Sequence, residues 1–152
     1  MASTSTTHSL TPEVEANIAL VRRFYEEIVN RQNTAILSDF IAPNFVDHIP
    51  HPLPVQPKVG HEAIRWFVET ARTAVPDLQV DIEDVIAAGD KVVTRVLWHG
   101  TQQGRLLGAD PTGKKVRFMG IDIARIANGK IVEHWGQIDV LRAIDQLGFM
   151  PV

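Results

Sequence analysis

Two residues in the C-terminal third have the types and the spacing to move a proton. Asp122 stands alone as a carboxylate within Met119-Gly-Ile-Asp-Ile-Ala, and His134 follows beyond the turn signal Ala127-Asn128-Gly129. Side chains on a strand alternate between its two faces. A three-residue loop over 127–129 sets Ile126 opposite Lys130; counting back four residues sets Asp122 opposite His134, with Gly120 and Gly136 beside them. A carboxylate among apolar residues is a usable general acid or base, and a neighbouring histidine can orient it or share its proton. A two-residue loop would instead send Asp122 and His134 to opposite faces and dissolve the pair. Plain surface contacts across a hairpin have the same spacing, so what surrounds the pair decides its meaning.

Other candidates follow from parity. Val92, Thr94, Val96, Trp98 and Gln102 share a face of the preceding strand. Trp98 and Gln102 suit the wall of an apolar pocket with a few polar anchors, and Trp98 suits a core equally well. Phe24 is expected on the same wall, with His48 at the pocket mouth; His48 and Gln102 would hydrogen-bond a ligand's oxygens. Arg95 and His99 take the outer face. His51 is expected to face solvent, His8 lies in the N-terminal tail, and His61 is expected to cap a helix or stand exposed. His48 and His51 sit beside prolines with no third ligand spaced to match, so no metal is expected. Gly104 to Gly108 does not lie between a strand and a helix, which fails the context of a phosphate-binding loop. No Gly-x-Ser-x-Gly elbow occurs.

The elements that must position these residues come in two blocks. Thr11 is the expected N-cap of a first helix, with Pro12 at its first position and Glu13 and Glu15 at the positive end of its dipole. Ile18, Val21, Phe24 (or Tyr25) and Ile28 give it one apolar face before it ends over 30–33. A short helix is expected over 34–41, a brief extended piece over 45–48, and a stiff proline-bearing loop through Pro50, Pro52 and Pro54. A third helix over 61–74 presents Ile64, Phe67, Val68 and Ala71. The period then changes to two, predicting strands over 78–88, 91–102, 115–126 and 130–139. A last helix over 141–146 ends at Gly148. Helices followed by antiparallel hairpins make an α+β layer fold, read as one domain over 11–152 after a disordered tail over 1–10.

Composition narrows the function classes. The chain has 152 residues, 45% hydrophobic and 22% charged, which is the balance of a globular protein. It has no cysteine, which excludes disulfides, thiolate metal sites and cysteine nucleophiles and makes the cytoplasm the expected compartment. A net charge of −3 and no basic run longer than Lys114-Lys115 argue against a nucleic-acid partner. No apolar stretch is long enough for a membrane span, and the Ser/Thr-rich start is expected to be a tail and not a secretory signal.

The ordered segments carry a resemblance. Pro43-Asn-Phe-Val-Asp-His, Ala74-Val-Pro-Asp-Leu, Gly89-Asp-Lys-Val-Val-Thr-Arg and Gly100-Thr-Gln-Gln-Gly come first. Pro111-Thr-Gly-Lys-Lys-Val, Gly120-Ile-Asp-Ile, Asn128-Gly-Lys-Ile-Val-Glu-His-Trp and Gln146-Leu-Gly follow. From about Val14 to Gly148 the sequence resembles the SnoaL-like polyketide cyclases, the ester cyclase group of the nuclear transport factor 2-like superfamily.

The resemblance implies a cone-shaped α+β barrel, a strongly curved antiparallel sheet packed on N-terminal helices around one apolar cavity. It also implies a homodimer through the outer face of the sheet. The implied activity is a cyclase or isomerase needing no cofactor or metal, in which a pocket carboxylate takes a proton beside a carbonyl of a hydrophobic, polyketide-like small molecule. Residue by residue, the family's acid on the last strand falls at Gly136 and a histidine of the preceding strand falls at Asp122, so the carboxylate is expected to have crossed the hairpin. Gln102 stands where many relatives have a histidine. Limonene-type epoxide hydrolases share the superfamily, but the positions of their Asp–Arg–Asp set carry Val96, Trp98 and Gly136 here. A hydrolase therefore ranks below a cyclase. A non-catalytic small-ligand binder is the third reading: Asp122 facing an apolar pocket favours chemistry, and Asp122 facing solvent favours the binder.

Overall fold

The computed structural model describes residues 10–49 and 57–149. His8, His51, the tail over 1–9 and the prolines Pro50, Pro52 and Pro54 lie outside the described residues. Helix α1 (Pro12–Phe24) starts as its sequence dictates: the Thr11 hydroxyl accepts from the Val14 amide at 3.3 Å, with Pro12 opening the helix. The helix does not simply end. It widens into a π-helical segment, Tyr25–Asn30, whose last side chain is fixed to the sheet. The Asn30 amide exchanges two hydrogen bonds with the Val80 backbone, at 2.8 and 3.1 Å. A 3-10 helix, Thr34–Asp39, replaces the α-helix expected over 34–41.

Strand β1 (Ile41–Asp47) starts earlier than the extended piece expected over 45–48, and helix α2 (Gly60–Ala74) follows. Strands β2 (Gln79–Ala88), β3 (Lys91–Thr101), β4 (Lys115–Ala127) and β5 (Lys130–Ile138) precede helix α3 (Val140–Leu147), which Gly148 caps in the left-handed region at φ 84°. The five strands form one curved sheet in the order β1-β5-β4-β3-β2. All neighbours are antiparallel except β1, which runs parallel to β5 and pairs Asp47 with His134. The parallel pairing of this edge strand lies outside the expected hairpins because it is long-range and interrupted: between Ile41 and Val46 the ladder breaks around Pro43, which has no amide proton to donate.

The helices cover the concave face, and parity sorts most positions of β3 and β4, with Leu97 of β3 buried against it. Val92, Thr94, Val96 and Trp98 of β3 are buried, as are Val116, Asp122, Ala124 and Ile126 of β4, whereas Ile121 faces outward. Val21, Tyr25, Ile28, Phe40, Phe45, Ile64 and Val68 close the core from the helical side and β1.

The β4–β5 hairpin differs from its expected geometry and keeps its consequence. The loop is two residues long, Asn128-Gly129, with Ala127 paired to Lys130 and both loop residues at positive φ (51° and 71°). That is the backbone a tight hairpin favours, because its twist matches that of the strands. Two-residue closure alone would have separated Asp122 from His134. Ile126 pairs with Ile131 but Arg125 pairs with Glu133, so Val132 is a bulge residue that shifts the register by one. Beyond it Ala124 opposes His134 and Asp122 opposes Gly136. Asp122 and His134 therefore share a face as diagonal neighbours, not as the directly opposed pair expected.

Gly129→Ala should destabilise the protein by about 1 kcal/mol in urea unfolding, since an L-side chain is strained at this φ although nothing crowds it. A Gly129→Ala variant as stable as the parent would contradict the assigned turn.

Candidate functional site

Asp122 points into a pocket between sheet and helices, 6% exposed. Its surroundings are mostly apolar: Val21, Phe24, Phe45, Ile64, Phe67 and Ala124 line the same space of about 70 Å³. Apart from the indole nitrogen of Trp98, the polar exceptions form one chain of hydrogen bonds. Tyr25 from the π-helical segment donates its hydroxyl to Asp122 Oδ2 at 2.8 Å. Thr94 Oγ1 of β3 lies 3.1 Å from that same hydroxyl oxygen. Tyr25 has one proton and gives it to the carboxylate, so the Thr94 hydroxyl donates to Tyr25. On the other side, His134 Nε2 is 3.2 Å from Asp122 Oδ1 and His134 Nδ1 is 3.2 Å from Asp47 Oδ1. Asp47 reaches this position because parallel pairing sets it beside His134, and its Oδ1 also accepts from the Ile49 amide at 3.1 Å.

The electrostatics follow. Burial alone would push the His134 pKa down, but hydrogen bonds and charge from Asp122 and Asp47 outweigh it and raise the value to about 9. His134 is then an imidazolium at neutral pH, donating from both ring nitrogens to a carboxylate on each side. Burial, and then the charge of Asp122, hold the Tyr25 hydroxyl well above its ordinary value, so it stays a proton donor. Asp122 consequently has a donor on each oxygen, and each oxygen keeps a further lone pair for a ligand. The three ionisable groups are strung through the imidazole instead of converging on one point. Among the described residues, no three histidine or acidic side chains are disposed to hold a metal ion.

Gly136 makes the arrangement possible. A Cβ at that position would overlap Asp122 Oδ1 and come within 3.1 Å of Ile49 and 3.4 Å of His134. The carboxylate of Asp122 thus fills the space that a side chain at position 136 would take.

Of the residues singled out from the sequence, Phe24, Trp98, Asp122 and His134 line the pocket. Gln102 and His48 do not. Gln102 lies just past the end of β3, fully buried, where its amide donates to the carbonyls of Ala109 and Asp110 and its Oε1 accepts from the Thr112 amide at 3.1 Å. It clamps the β3–β4 loop, because strand parity stops carrying information where the strand stops. His48 follows the inward Asp47 and so turns outward, stacked on Trp135 with centroids 4.8 Å apart and near Glu133 at 3.3 Å. His61 neither caps its helix nor stands free: its Nε2 pairs with the Ile41 carbonyl at 2.8 Å.

Tyr25 and Asp47 escaped sequence reasoning. Phe24 and Tyr25 were alternatives for one helical position, yet both line the pocket, since residues three and four beyond Val21 share its face. The signal available was that Tyr25 is the single tyrosine of the chain. Asp47 shares the parity of the buried Phe45 two residues earlier.

Comparison with known proteins bears on the same segment. The sequence model of the SnoaL-like polyketide cyclases matches residues 19–147. The chain is 26% identical over 121 residues to nogalonic acid methyl ester cyclase of Streptomyces nogalater, spanning 78% of this chain and 88% of that protein. Among solved structures, TsrD of Streptomyces laurentii superposes with a TM-score of 0.80 at 27% identity, covering 93% of this chain and all of the other. A SnoaL-like polyketide cyclase of Agrobacterium tumefaciens shares the fold at 18% identity, with a TM-score of 0.73 over 87% of this chain and 98% of its own.

His134 yields a pH prediction. Its folded pKa is raised above the ordinary 6.5, so the stabilisation from its charge is complete below about pH 6.5 and is lost as pH climbs through about 9. Ring ¹⁵N NMR should show His134 protonated at both nitrogens at pH 7.5, with a midpoint near 9. A midpoint near 6.5 would contradict the bridging geometry.

Proposed function

Since the chain belongs to the SnoaL-like polyketide cyclase family, we propose that it is a cyclase or isomerase working by acid–base chemistry on a hydrophobic, carbonyl-containing, polyketide-like small molecule. Asp122 is the general base. It takes a proton from a carbon beside a carbonyl, and the electron pair of that C–H bond becomes the enolate. The enolate carbon attacks a second carbonyl carbon of the same molecule, forming the new C–C bond. The oxygen of the attacked carbonyl then receives the proton from Asp122, so the product is an isomer of the substrate.

The observation that carries this reading is a carboxylate in an apolar pocket with a donor on each oxygen and room for one more bond. Tyr25 and His134 fix the carboxylate's orientation, and the hydrogen bonds of His134 to Asp122 and Asp47 keep it protonated and in place. They are positioning residues. Phe24 and Trp98 form the apolar wall. The cavity of about 70 Å³ is well below the ~300–1,000 Å³ of a site that swallows a whole ligand, so it seats the reacting end of a larger molecule. The position at which the resemblance places the family's acid is Gly136, and the carboxylate of Asp122 stands in its space. That supports a relocated acid over a lost one. Among the described residues no helix is long and apolar enough to cross a membrane.

Nogalonic acid methyl ester, the compound in the relative's name, is a suitable first substrate. Mass spectrometry after incubation should show an isomer of unchanged mass, formed at least ~10²-fold more slowly by Asp122→Asn, the usual scale of losing a general base. Gain of one water would point to a hydrolase instead. Equal turnover by parent and variant, or no conversion by either, would overturn the assignment.

A further inference from the structure

Among the described residues, one buried side-chain polar atom has no hydrogen-bond partner: the indole nitrogen of Trp98. The residue is 6% exposed and belongs to the wall of the Asp122 pocket. An indole N–H can only donate, and buried N–H groups nearly always find an acceptor. Its lack of one is therefore informative about what else the pocket takes. The ring itself is not loosely held. Phe118 stacks parallel to it at 6.5 Å with 9° between planes, and Phe67 meets it edge-on at 5.8 Å and 83°. Clamped between two aromatics, the indole cannot turn its N–H elsewhere at little cost.

Gly120 makes room for the indole nitrogen. A Cβ at that position would lie 2.9 Å from Trp98 Nε1, so the nitrogen rests directly over the glycine, in the place where any other residue would put its side chain. Gly120 and Asp122 are alternate residues of β4 and share the pocket face. Alternate positions on a strand are about 6.5–7 Å apart. Gly120, beneath the donor, and Asp122 thus stand one strand repeat apart on the same wall. In a carbonyl compound the oxygen and the hydrogen on the neighbouring carbon are only a few bonds apart, so one group can engage Trp98 while the other meets Asp122.

We infer that Trp98 Nε1–H is the hydrogen-bond donor for the substrate's carbonyl oxygen, so that this wall residue selects ketones and esters over hydrocarbons of the same shape. The inference rests on the acid–base reading of the pocket for its meaning in catalysis, where the same donor would hold the enolate oxygen as charge develops there. As a statement about ligand recognition it is testable without turnover.

The probes are acetophenone and ethylbenzene, which match in shape and differ by the carbonyl. In the Asp122→Asn background, acetophenone should move the Trp98 indole N–H resonance downfield and slow its exchange with solvent, and ethylbenzene should leave both unchanged. The peak is assigned by its loss in Trp98→Phe. That substitution keeps a ring in the aromatic clamp and should weaken acetophenone about tenfold while leaving ethylbenzene binding as it was, the ordinary effect of deleting one hydrogen bond of ~1.4 kcal/mol. Equal responses of the resonance to both probes, equal losses of both in Trp98→Phe, or binding of neither would overturn the inference. If instead the carbonyl is selected but nogalonic acid methyl ester is not isomerised, the donor stands and the cyclase reading falls. Isomerisation that is unchanged in Trp98→Phe would mean the reverse.

Discussion

A carboxylate enclosed by apolar side chains must find hydrogen-bond donors for its oxygens, because leaving a buried polar group unmade costs on the order of 1–3 kcal/mol and more for a charged one. Asp122 imposes that requirement on four separate parts of the chain. Tyr25 comes from the N-terminal helix, Thr94 from β3, His134 from β5, and Asp47 from the parallel edge strand β1. Each member also satisfies the next, so removing one leaves another exposed to the same penalty. The helix widens into a π-turn at Tyr25, the point where its hydroxyl must reach the sheet. π-turns of this kind are concentrated at functional sites, where an extra residue per turn re-aims a side chain.

The backbone supplies the second half of the arrangement. A two-residue turn and a one-residue bulge each reverse the parity of β5 relative to β4, and together they cancel. What remains is a diagonal placement of Asp122 and His134. With His134 diagonal to Asp122, the residue directly opposite the carboxylate is Gly136, and the oxygen of Asp122 has space to lean across the ladder. A bulge next to a site is a recurrent device for re-aiming a side chain.

The sequence was most informative where a local rule was sufficient. The Thr11–Pro12 start, the strand periods and the left-handed Gly148 each follow from interactions among near neighbours. The shared face of Asp122 and His134 is a different case: it was expected from a three-residue turn, and it arises instead from a two-residue turn whose effect is undone by the bulge at Val132, which leaves no trace in composition. The family resemblance fixed the layer order and the place of the cavity. What the sequence withheld was long-range. The parallel pairing of β1 joins residues some ninety positions apart, and with it came Asp47 and the outward turn of His48. Gln102 was misplaced for the opposite reason: alternation was extended past the last residue of β3, where the chain already serves the loop.

Gly136 carries a meaning for the history of such a pocket. The space that the Asp122 carboxylate fills is the space in which a side chain at position 136 would start. An aspartate at 136 beside Asp122 would put two like charges into overlapping volumes, and removing Asp122 first leaves none. The two positions are epistatic: each acid is acceptable only in the background that lacks its rival.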